Sequence, residues 1–350
     1  MNSTTVAIDL AKNVFEIAVA GADWRIGERH RLSRAKFAQF FVNRLPCNVV
    51  MEACGSAHYW ARRIVAARHD VRLLPAQYLK AYVKRNKTDR ADAAALIEAA
   101  RCADINAVPV KTVEQQQIQA LHRLRTQWVS NRVRYINTLR GVLREFGVSI
   151  PLGANAAKAQ IGTALAEPDN GIPDGLRSTL AEMLGEIRAL EEKIDNTERE
   201  LTVLTRSAER VQQLREIPGI GLLTSTALWA TVGDIQRFPS GRHFASWLGL
   251  TASERSSAER RRLGRISKKG DIYLRTLLVH VPVPRYWPLT GRSDPVGLWT
   301  DYGAGHWTAR NSAVTTKPRL RSLTAWLASS GRLGNTTEAS TVTGAEKRPN

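Results

Sequence analysis

Residues 4–20 read TTVAIDLAKNVFEIAVA, two apolar, β-branched runs separated by the short segment AKN. Such runs on either side of a short turn predict a β-hairpin, with strands over 4–10 and 14–20. The pattern then alternates between further strands, expected at 24–31, 47–53 and 71–75, and helices, expected at 33–43 and 57–68. Strands that alternate with helices after an initial hairpin predict a mixed α/β sheet with helices packed on it.

The rest of the chain has helical periodicity. Thr88 is placed to cap a helix that runs to Ala100, and residues 113–146 carry apolar residues at helical spacing. Residues 149–171 are richer in Pro, Gly, Ala and Asn, which predicts a loop or flexible break. A compact helical region is expected again from Ile217.

The most regular pattern in the chain lies over residues 176–204. Apolar residues recur there at alternating steps of four and three, with Thr197 at the one polar seam position. The apolar seam consists of Leu176, Leu180, Met183, Ile187, Leu190, Ile194, Leu201 and Leu204. This heptad pattern predicts a coiled coil. Two arrangements remain open: an arm that dimerises and makes a homo-oligomer, or a helical hairpin within one chain.

These patterns divide the chain into four segments. We expect an α/β domain over 1–110, long helices with a coiled-coil arm over 111–210, and a mainly helical domain over 211–331. The remaining segment, 332–350, is rich in Gly, Thr, Ser and Glu, and its low apolar content predicts a disordered tail.

The balance of charge indicates a polyanionic partner. The chain has 51 Lys and Arg against 32 Asp and Glu, a formal net charge of +19. Lys and Arg neutralise phosphates and release their counterions, so nucleic acid is the favoured partner. The sequence lacks a basic amphipathic helix with an aromatic face, an apolar run of roughly 18 residues, and the order of a signal peptide. We therefore expect a cytoplasmic, nucleoid-associated protein of bacterial type without a membrane partner.

Four acidic residues stand where an apolar strand ends or a helix begins. Asp9 closes the first strand, Glu52 closes the apolar run VVME, and Asp89 and Asp92 lie three residues apart at a helix start. That spacing puts both aspartates on one helix face. A carboxylate at the end of a buried strand is costly unless something pairs with it. Converging carboxylate oxygens suit Mg²⁺ or Mn²⁺, and two such metals can assist the cleavage of a phosphodiester.

Each acidic residue also has a purely local interpretation. Asp89 and Asp92 can favour the positive end of the helix macrodipole. Asp9 can form a turn with Lys12, and Glu52 can pair with a nearby arginine, Arg62 or Arg63. The pattern favours a metal site only when all four residues are taken together.

Two motifs near the C-terminus indicate contact with phosphates. The sequence IPGIG (217–221) is typical of the turn in a helix–hairpin–helix, whose backbone N–H groups at residues such as Gly219 and Gly221 can hold a phosphate. Residues 255–275 surround the pair Ser256 and Ser257 with basic side chains and carry only two acidic residues. The basic residues are Arg255, Arg260, Arg261, Arg262, Arg265, Lys268, Lys269 and Arg275. Such an excess predicts a surface that binds nucleic acid.

The motifs IDLAK, MEACGS and NKTDRADA occur in order and resemble those of the DEDD insertion-sequence transposases of the IS-one-ten family. The resemblance implies a RuvC-like N-terminal domain of ribonuclease H-like α/β fold. It also implies that the residues of this chain that match the family's metal-binding catalytic tetrad are Asp9, Glu52, Asp89 and Asp92.

The segment around GRISKKG resembles the C-terminal transposase domain of the same family. That domain has a nucleophilic serine, which falls on Ser257, with Ser256 as the neighbouring alternative. The family further implies a noncoding RNA that guides target choice. Two departures stand out: Ala258 replaces the glycine expected after the serine, and the family pattern ends after Val279.

The expected function is that of an enzyme that cuts and rejoins DNA strands to move its own element. One alternative is a metal-dependent junction resolvase that uses water, because the tetrad alone would suffice for it. Another is a non-catalytic DNA-binding protein, a decayed copy in which the carboxylates are structural.

Overall fold

A computed structural model of the chain describes residues 4–82, 89–217, 219–233, 235–257 and 260–280. The chain divides into two compact units, an N-terminal unit (Met1–Val113) and a C-terminal unit (Glu114–Asn350). The predicted cap at Thr88, residue Ala258 and the predicted tail at 332–350 lie outside the described residues.

The N-terminal unit is built on a five-stranded mixed sheet, so the predicted α/β architecture is confirmed. Its strands are β1 (Thr5–Leu10), β2 (Val14–Ala20), β3 (Ile26–Ser33), β4 (Asn48–Glu52) and β5 (Asp70–Leu74). Its helices are α1 (Arg34–Phe40), α2 (Ala57–Ala66), α3 (Ala76–Leu79) and α4 (Asp89–Ala100). The strand order is β3-β2-β1-β4-β5; β2 is antiparallel to both of its neighbours, β1 and β3, whereas β1, β4 and β5 are parallel.

The two faces of this sheet bury different residues, because side chains alternate along a strand. On one face, Val6 and Ile8 of β1 join a large aromatic core that includes Phe37 of α1 and Trp60 of α2. On the other face, the strands present small residues that pack with α4; these are Ala7, Ala18, Ala20 and Val50. Small side chains on both surfaces allow a close approach, since Ala93, Ala99 and Ala100 of α4 belong to the same cluster.

The C-terminal unit is mainly helical, as the sequence predicts, with one short hairpin added. Its helices are α5 (Val113–Glu145, which begins at the unit boundary), α6 (Ala154–Ala166), α7 (Asp174–Leu204), α8 (Glu209–Arg215), α9 (Leu222–Val232), α10 (Gly241–Trp247) and α11 (Ile272–Val279). Strands β6 (Ala252–Glu254) and β7 (Leu263–Ile266) form a two-stranded sheet. Among the described residues, no helix is both long enough and apolar enough to cross a bilayer.

The prediction of a loop over residues 149–171 is wrong, because α6 occupies most of that segment. Three of its residues, Ala157, Ile161 and Ala164, are buried at helical spacing. They pack with apolar residues of α5 and α7 in one core cluster. The high alanine content favours a helix, and this tertiary packing outweighs the glycine and proline residues that flank it.

Five of the eight apolar residues predicted for the seam, Leu180, Ile187, Leu190, Ile194 and Leu201, are buried on α7, and this face is covered within the chain. Arg125 of α5 pairs with Glu198 of α7 at 2.7 Å, and Arg132 pairs with Glu191 at 3.6 Å. The residue number increases from Arg125 to Arg132 along α5, whereas the number of the partner decreases from Glu198 to Glu191 along α7. The two helices therefore pack antiparallel. The seam residue Ile187 is fully buried in the cluster that α5, α6 and α7 share. This is the intramolecular hairpin, one of the two arrangements that the sequence left open.

Candidate active site and nucleic-acid surface

Asp9 and Glu52 lie side by side at the carboxyl ends of two parallel strands. The register pairs Ile8 of β1 with Met51 of β4, so the next residue on each strand is one of the two carboxylates. Asp9 follows Ala7 by two residues and Glu52 follows Val50 by two, which places both on the sheet face that packs with α4. Both residues are partly buried.

A third carboxylate, which the sequence analysis missed, lies in the same row. Glu16 of β2 is the direct cross-strand partner of Asp9, and Arg31 of β3 is the partner of Glu16. Arg31 Nε lies 3.2 Å from Glu16 Oε1. The row Glu52–Asp9–Glu16–Arg31 thus crosses four strands and carries three negative charges and one positive charge. Like charges placed directly opposite each other destabilise a sheet, so Asp9 and Glu16 form an unfavourable cross-strand pair unless another group offsets their charge.

Two of these carboxylates affect the pKa of the Cys54 thiol. Burial is the main reason that the pKa of Cys54 is raised, and the charges of Glu52 and Asp9 raise it further. Both carboxylates therefore lie near this thiol, because Coulomb interactions weaken with distance.

Helix α4, which carries Asp89 and Asp92 in its first turn, packs on the same face of the sheet. It begins at Asp89, and Asp92 in its first turn is partly buried and directly precedes Ala93 of the shared cluster. The side chain of Asp89 lies outside the described residues. Within the described part of the chain, no three His, Cys, Asp or Glu side chains are grouped closely enough to hold a metal ion.

The local interpretation of Glu52 finds little support. Among the described residues, no ion pair joins Glu52 to a basic side chain. Arg62 donates a hydrogen bond to the carbonyl of Lys111 at 2.7 Å, and Arg63 donates one to the Tyr59 hydroxyl at 2.9 Å. Pairing with these two arginines therefore does not account for Glu52.

The serine pair lies near the tip of the β6–β7 hairpin, here called the serine hairpin (residues 252–266). Arg255 N donates to the Arg262 carbonyl at 2.9 Å. Nearer the tip, Ser257 and Arg260 exchange two backbone hydrogen bonds of 3.3 and 3.1 Å. Every described residue from Glu254 to Ile266 is exposed, so backbone hydrogen bonds rather than a core hold this segment.

The two serine hydroxyls differ in what they contact. Ser256 Oγ donates to Glu254 Oε1 at 2.7 Å and accepts from Arg262 N at 3.1 Å. The Ser257 hydroxyl is exposed and has no hydrogen-bond partner among the described residues. Of the pair, Ser257 is the one whose oxygen is available for attack on a substrate.

Two glycines place the base of the serine hairpin against α10. A Cβ at Gly270 would lie 2.3 Å from the Trp247 carbonyl oxygen, and a Cβ at Gly249 would lie 2.7 Å from Gly270 N. Only glycine permits these two backbone segments to touch. Arg275 differs from the other basic residues of the motif, because it is partly buried and donates to the carbonyls of Leu248 and Gly270. It therefore stabilises this contact.

The other predicted basic residues form an exposed cationic surface on and beside the hairpin. They are Arg255, Arg260, Arg261, Arg262, Arg265, Lys268 and Lys269. One more arginine, Arg242 of α10, was missed by the sequence analysis because it lies outside the motif. Its charge helps to lower the pKa of Glu254, after the larger effects of the Ser256 hydrogen bond and of Arg261. The surface therefore extends from the hairpin to the start of α10.

The IPGIG segment connects α8 and α9. Gly219 is exposed at φ +87°, in the left-handed region that favours glycine, and Gly221 is exposed at the N-cap of α9. Ile220 between them is buried, and its N–H donates to the Ile217 carbonyl at 2.9 Å. The turn thus exposes the two glycines while Ile220 anchors it in the core.

Two family models match different segments of the chain. A family model described as a DEDD transposase of the IS110 type matches residues 6–148. A second model, described as the transposase IS116/IS110/IS902 family, matches residues 211–286. The first range contains the four acidic residues, and the second contains the IPGIG turn and the serine hairpin.

Individual relatives match most of the chain. A protein of Pseudomonas aeruginosa named "Probable family 20 transposase" is 41% identical over 281 residues, which is 80% of this chain and 83% of the relative. The transposase for insertion sequence element IS1111A of Coxiella burnetii is 34% identical, covering 84% of this chain and 81% of the relative. The transposase for IS1328 of Yersinia enterocolitica is 36% identical, with 79% and 82% covered.

The family models and these relatives are all described as transposases, which are proteins that act on DNA. The chain belongs to the IS116/IS110/IS902 family of transposases and is a DNA transposase.

Proposed function

We propose that this insertion-sequence transposase cuts and rejoins DNA strands through a serine nucleophile and a divalent-metal site on a ribonuclease H-like, RuvC-like N-terminal unit. The observation that carries the proposal is the position of Asp9 beside Glu52 at the carboxyl ends of parallel strands. The mixed sheet with α4 packed on its carboxylate face supports the fold assignment.

The carboxylates have the chemistry of a Mg²⁺ or Mn²⁺ site. Hard oxygen ligands suit these ions, and the row Glu52–Asp9–Glu16 concentrates negative charge that a divalent cation would offset. Asp9, Glu52, Asp89 and Asp92 would hold the metal. When bound, it would supply stabilisation of the charge that develops on the attacking and leaving oxygens.

The nucleophile in this proposal is the Ser257 hydroxyl. Its Oγ forms a bond to phosphorus while the bond from phosphorus to the leaving deoxyribose oxygen breaks, and that oxygen gains the proton that the serine loses. The resulting phosphoserine ester keeps the phosphodiester bond energy. A DNA hydroxyl can therefore attack it in reverse and rejoin a strand without an external energy source. The exposed, unbonded hydroxyl at the hairpin tip supports this role for Ser257 rather than for Ser256.

DNA is bound by the cationic surface of the serine hairpin and by the exposed glycines Gly219 and Gly221. Phosphate contacts from Arg and Lys position a protein on its nucleic acid without reading sequence. We also include a guide RNA in the proposal. Its inclusion rests on the resemblance to the family and on the same exposed cationic residues, which could contact RNA phosphates. Because the proposed substrate is DNA, we expect the protein to act in the cytoplasm at the nucleoid.

A homo-oligomer is also part of the proposal, since it would let one subunit present Ser257 to the carboxylates of another. The α5–α7 seam is filled within the chain, so the oligomer would assemble through other surfaces.

The test uses the full chain, labelled DNA carrying the element ends, and Mg²⁺ or Mn²⁺. Asp9→Asn and Glu52→Gln keep the side-chain shape but remove charge, and they should lower strand cleavage by more than about 100-fold, because ligand oxygens are lost. DNA binding should persist, since no positive charge is removed. Glu98→Gln, an exposed position on α4, is the matched control and should cleave normally.

The covalent step is tested by denaturing the reaction and mapping the peptide that carries DNA. We expect an adduct on Ser257 in the wild type and neither adduct nor cleavage in Ser257→Ala. Wild-type cleavage by Asp9→Asn would refute the metal site. Efficient cleavage by Ser257→Ala without any wild-type adduct would instead support a nuclease that uses water.

A further inference from the structure

The hydroxyl of Ser256 closes the serine hairpin from inside. It donates to the carboxylate of Glu254 at 2.7 Å and accepts from the backbone N–H of Arg262 at 3.1 Å, across to the opposite strand. A serine hydroxyl has one proton to donate, and that proton is used here. We call this arrangement of Glu254, Ser256 and Arg262 N the Ser256 clasp.

We infer that the Ser256 clasp positions Ser257 for attack on the phosphodiester, which makes Ser256 and Glu254 positioning residues of the reaction. This role rests on the proposed function, in which Ser257 is the nucleophile.

The hairpin has few other contacts that could fix Ser257. Residues 254–257 and 260–266 are all exposed, so side-chain packing does not determine where the tip points. The bridge between Ser257 and Arg260 has one hydrogen bond of 3.3 Å, at the long end of the normal range. The clasp acts on the residue directly before Ser257 and joins both strands there. A displacement of about 1 Å at a reacting group can cost about 100-fold in rate.

The same geometry could describe a serine activated by a carboxylate base, so the two roles must be separated. The hydrogen bond from Ser256 is the main cause of the lowered pKa of Glu254, and Arg261, at 3.3 Å, adds to it. A carboxylate with a lowered pKa is a poor acceptor of a proton at neutral pH. The Ser256 oxygen is also occupied by Arg262 N, so Ser256 fits a structural bridge better than a nucleophile.

The hairpin supplies a matched control for the clasp. Ser253 lies on the same strand, and its hydroxyl donates to the Arg265 carbonyl at 3.1 Å. Ser253→Ala removes one cross-strand hydrogen bond far from the tip, whereas Ser256→Ala removes the clasp next to Ser257. Neither change touches the buried core, so both variants should fold.

The experiment measures adduct formation in a single turnover and DNA affinity in the full chain with Mg²⁺ or Mn²⁺. Ser256→Ala should form the Ser257 adduct about 10- to 100-fold more slowly, with affinity within about two-fold of wild type, because the loss is one of orientation. Ser256→Thr keeps the hydroxyl and should recover most of the rate. Glu254→Gln keeps an acceptor for Ser256 and should be milder than Glu254→Ala. Ser253→Ala should react at nearly the wild-type rate.

Several results would overturn this role. If Ser256→Ala and Ser253→Ala lose the same fraction of the rate of adduct formation, the clasp contributes only to the general stability of the hairpin. If Ser256→Ala forms the adduct at the wild-type rate, the clasp has no positioning role. An adduct mapped to Ser256 would make that residue the nucleophile. In each of these cases the metal-dependent cleavage itself stands. An active wild type that forms no adduct would instead refute the serine mechanism, and the positioning role with it.

Discussion

His122 is a buried imidazole between α5, α9 and α11. Its Nε2 lies 2.9 Å from Thr226 Oγ1, and its Nδ1 lies 2.8 Å from the Tyr273 hydroxyl. Thr226 already donates its proton to Leu222 O, so its oxygen accepts from Nε2–H, and Nδ1 accepts from Tyr273. Burial, with help from the charge of Arg125, lowers the pKa of His122 to about 4. The folded protein therefore keeps this ring neutral at a pH where the unfolded chain would protonate it.

Acidification should therefore destabilise the C-terminal unit. Because the folded pKa of His122 lies below the value of about 6.5 in an unfolded chain, the stabilisation is present above that pH and is lost as the pH falls toward 4. We expect the free energy of unfolding to drop by about 2 kcal/mol between pH 7 and pH 5 through this residue. Urea unfolding of His122→Gln at both pH values measures the effect. The drop should be smaller in that variant, and an equal drop in both proteins would contradict the assignment.

The backbone contact at Gly270 gives a second prediction at the scale of one residue. A methyl group there would meet the Trp247 carbonyl oxygen at 2.3 Å, so Gly270→Ala should lower the free energy of unfolding by about 1–3 kcal/mol. It should also slow cleavage, because the base of the serine hairpin would shift. Gly185→Ala is the control, since its Cβ would meet open space on α7 and should stabilise the helix by about 0.5–1 kcal/mol. Equal stability of the two variants in thermal or urea unfolding would contradict the close contact.

At the scale of secondary-structure elements, the apolar seam of α7 packs against α5 of the same chain. Ile187→Ala should cost about 2–5 kcal/mol, because Ile187 is fully buried. Leu204 occupies a predicted seam position but is 36% exposed, so Leu204→Ala should cost much less. The loss of melting temperature that Ile187→Ala causes relative to the wild type should be the same at low and at high protein concentration. A loss that changes with concentration would indicate a seam shared between chains.

The elements that the sequence predicts well are those in which local pattern and burial agree. Strand β1 is buried on both faces, so its continuous apolar run predicts a strand, and Asp9 stands out as the charged residue that follows that run. Helix α6 was missed because its buried alanines look no different from exposed ones until α5 and α7 are in place. The serine hairpin was missed because its strands have no apolar alternation, and it depends on the distant contact of Gly249 with Gly270.

The candidate site was predicted in the same uneven way. Asp9, Glu52 and Ser257 stand in recognisable motifs. Glu16 can be assigned to the site only when the register of β1 with β2 places it opposite Asp9. The turn AKN alone would not have found it, because a register symmetric about these three residues pairs Asp9 with Phe15 and not with Glu16. The clasp between Ser256 and Arg262 required the fold of the hairpin, because no pattern in the sequence indicates which backbone N–H a serine will contact.

At the scale of the whole molecule, the charge of +19 should make DNA binding steeply dependent on salt. For duplex DNA, the slope of log affinity against log salt changes by about 0.9 for each phosphate that the protein no longer neutralises. Replacing Arg261, Arg262, Lys268 and Lys269 with Ala should flatten the slope accordingly in a titration of labelled DNA. The control removes the same charge from exposed positions of the α5–α7 hairpin, through Ala at Arg123, Arg134, Arg144 and Arg188. Equal slopes for the two quadruple variants would show that the hairpin surface has no special role.

The parallel pairing of β1 with β4 also decides which insertions and deletions the transposase can tolerate. Asp9 and Glu52 meet because each directly follows a paired residue, Ile8 or Met51, and not because of the length of chain that joins the strands. Extra residues in the exposed segment between α1 and β4 should leave the carboxylates adjacent. Deletion of a single residue from β1 changes the parity of the strand, so either Asp9 or the buried residues before it must face the wrong side of the sheet. Natural length variation in active members of the family should therefore be concentrated in that connection and absent from β1.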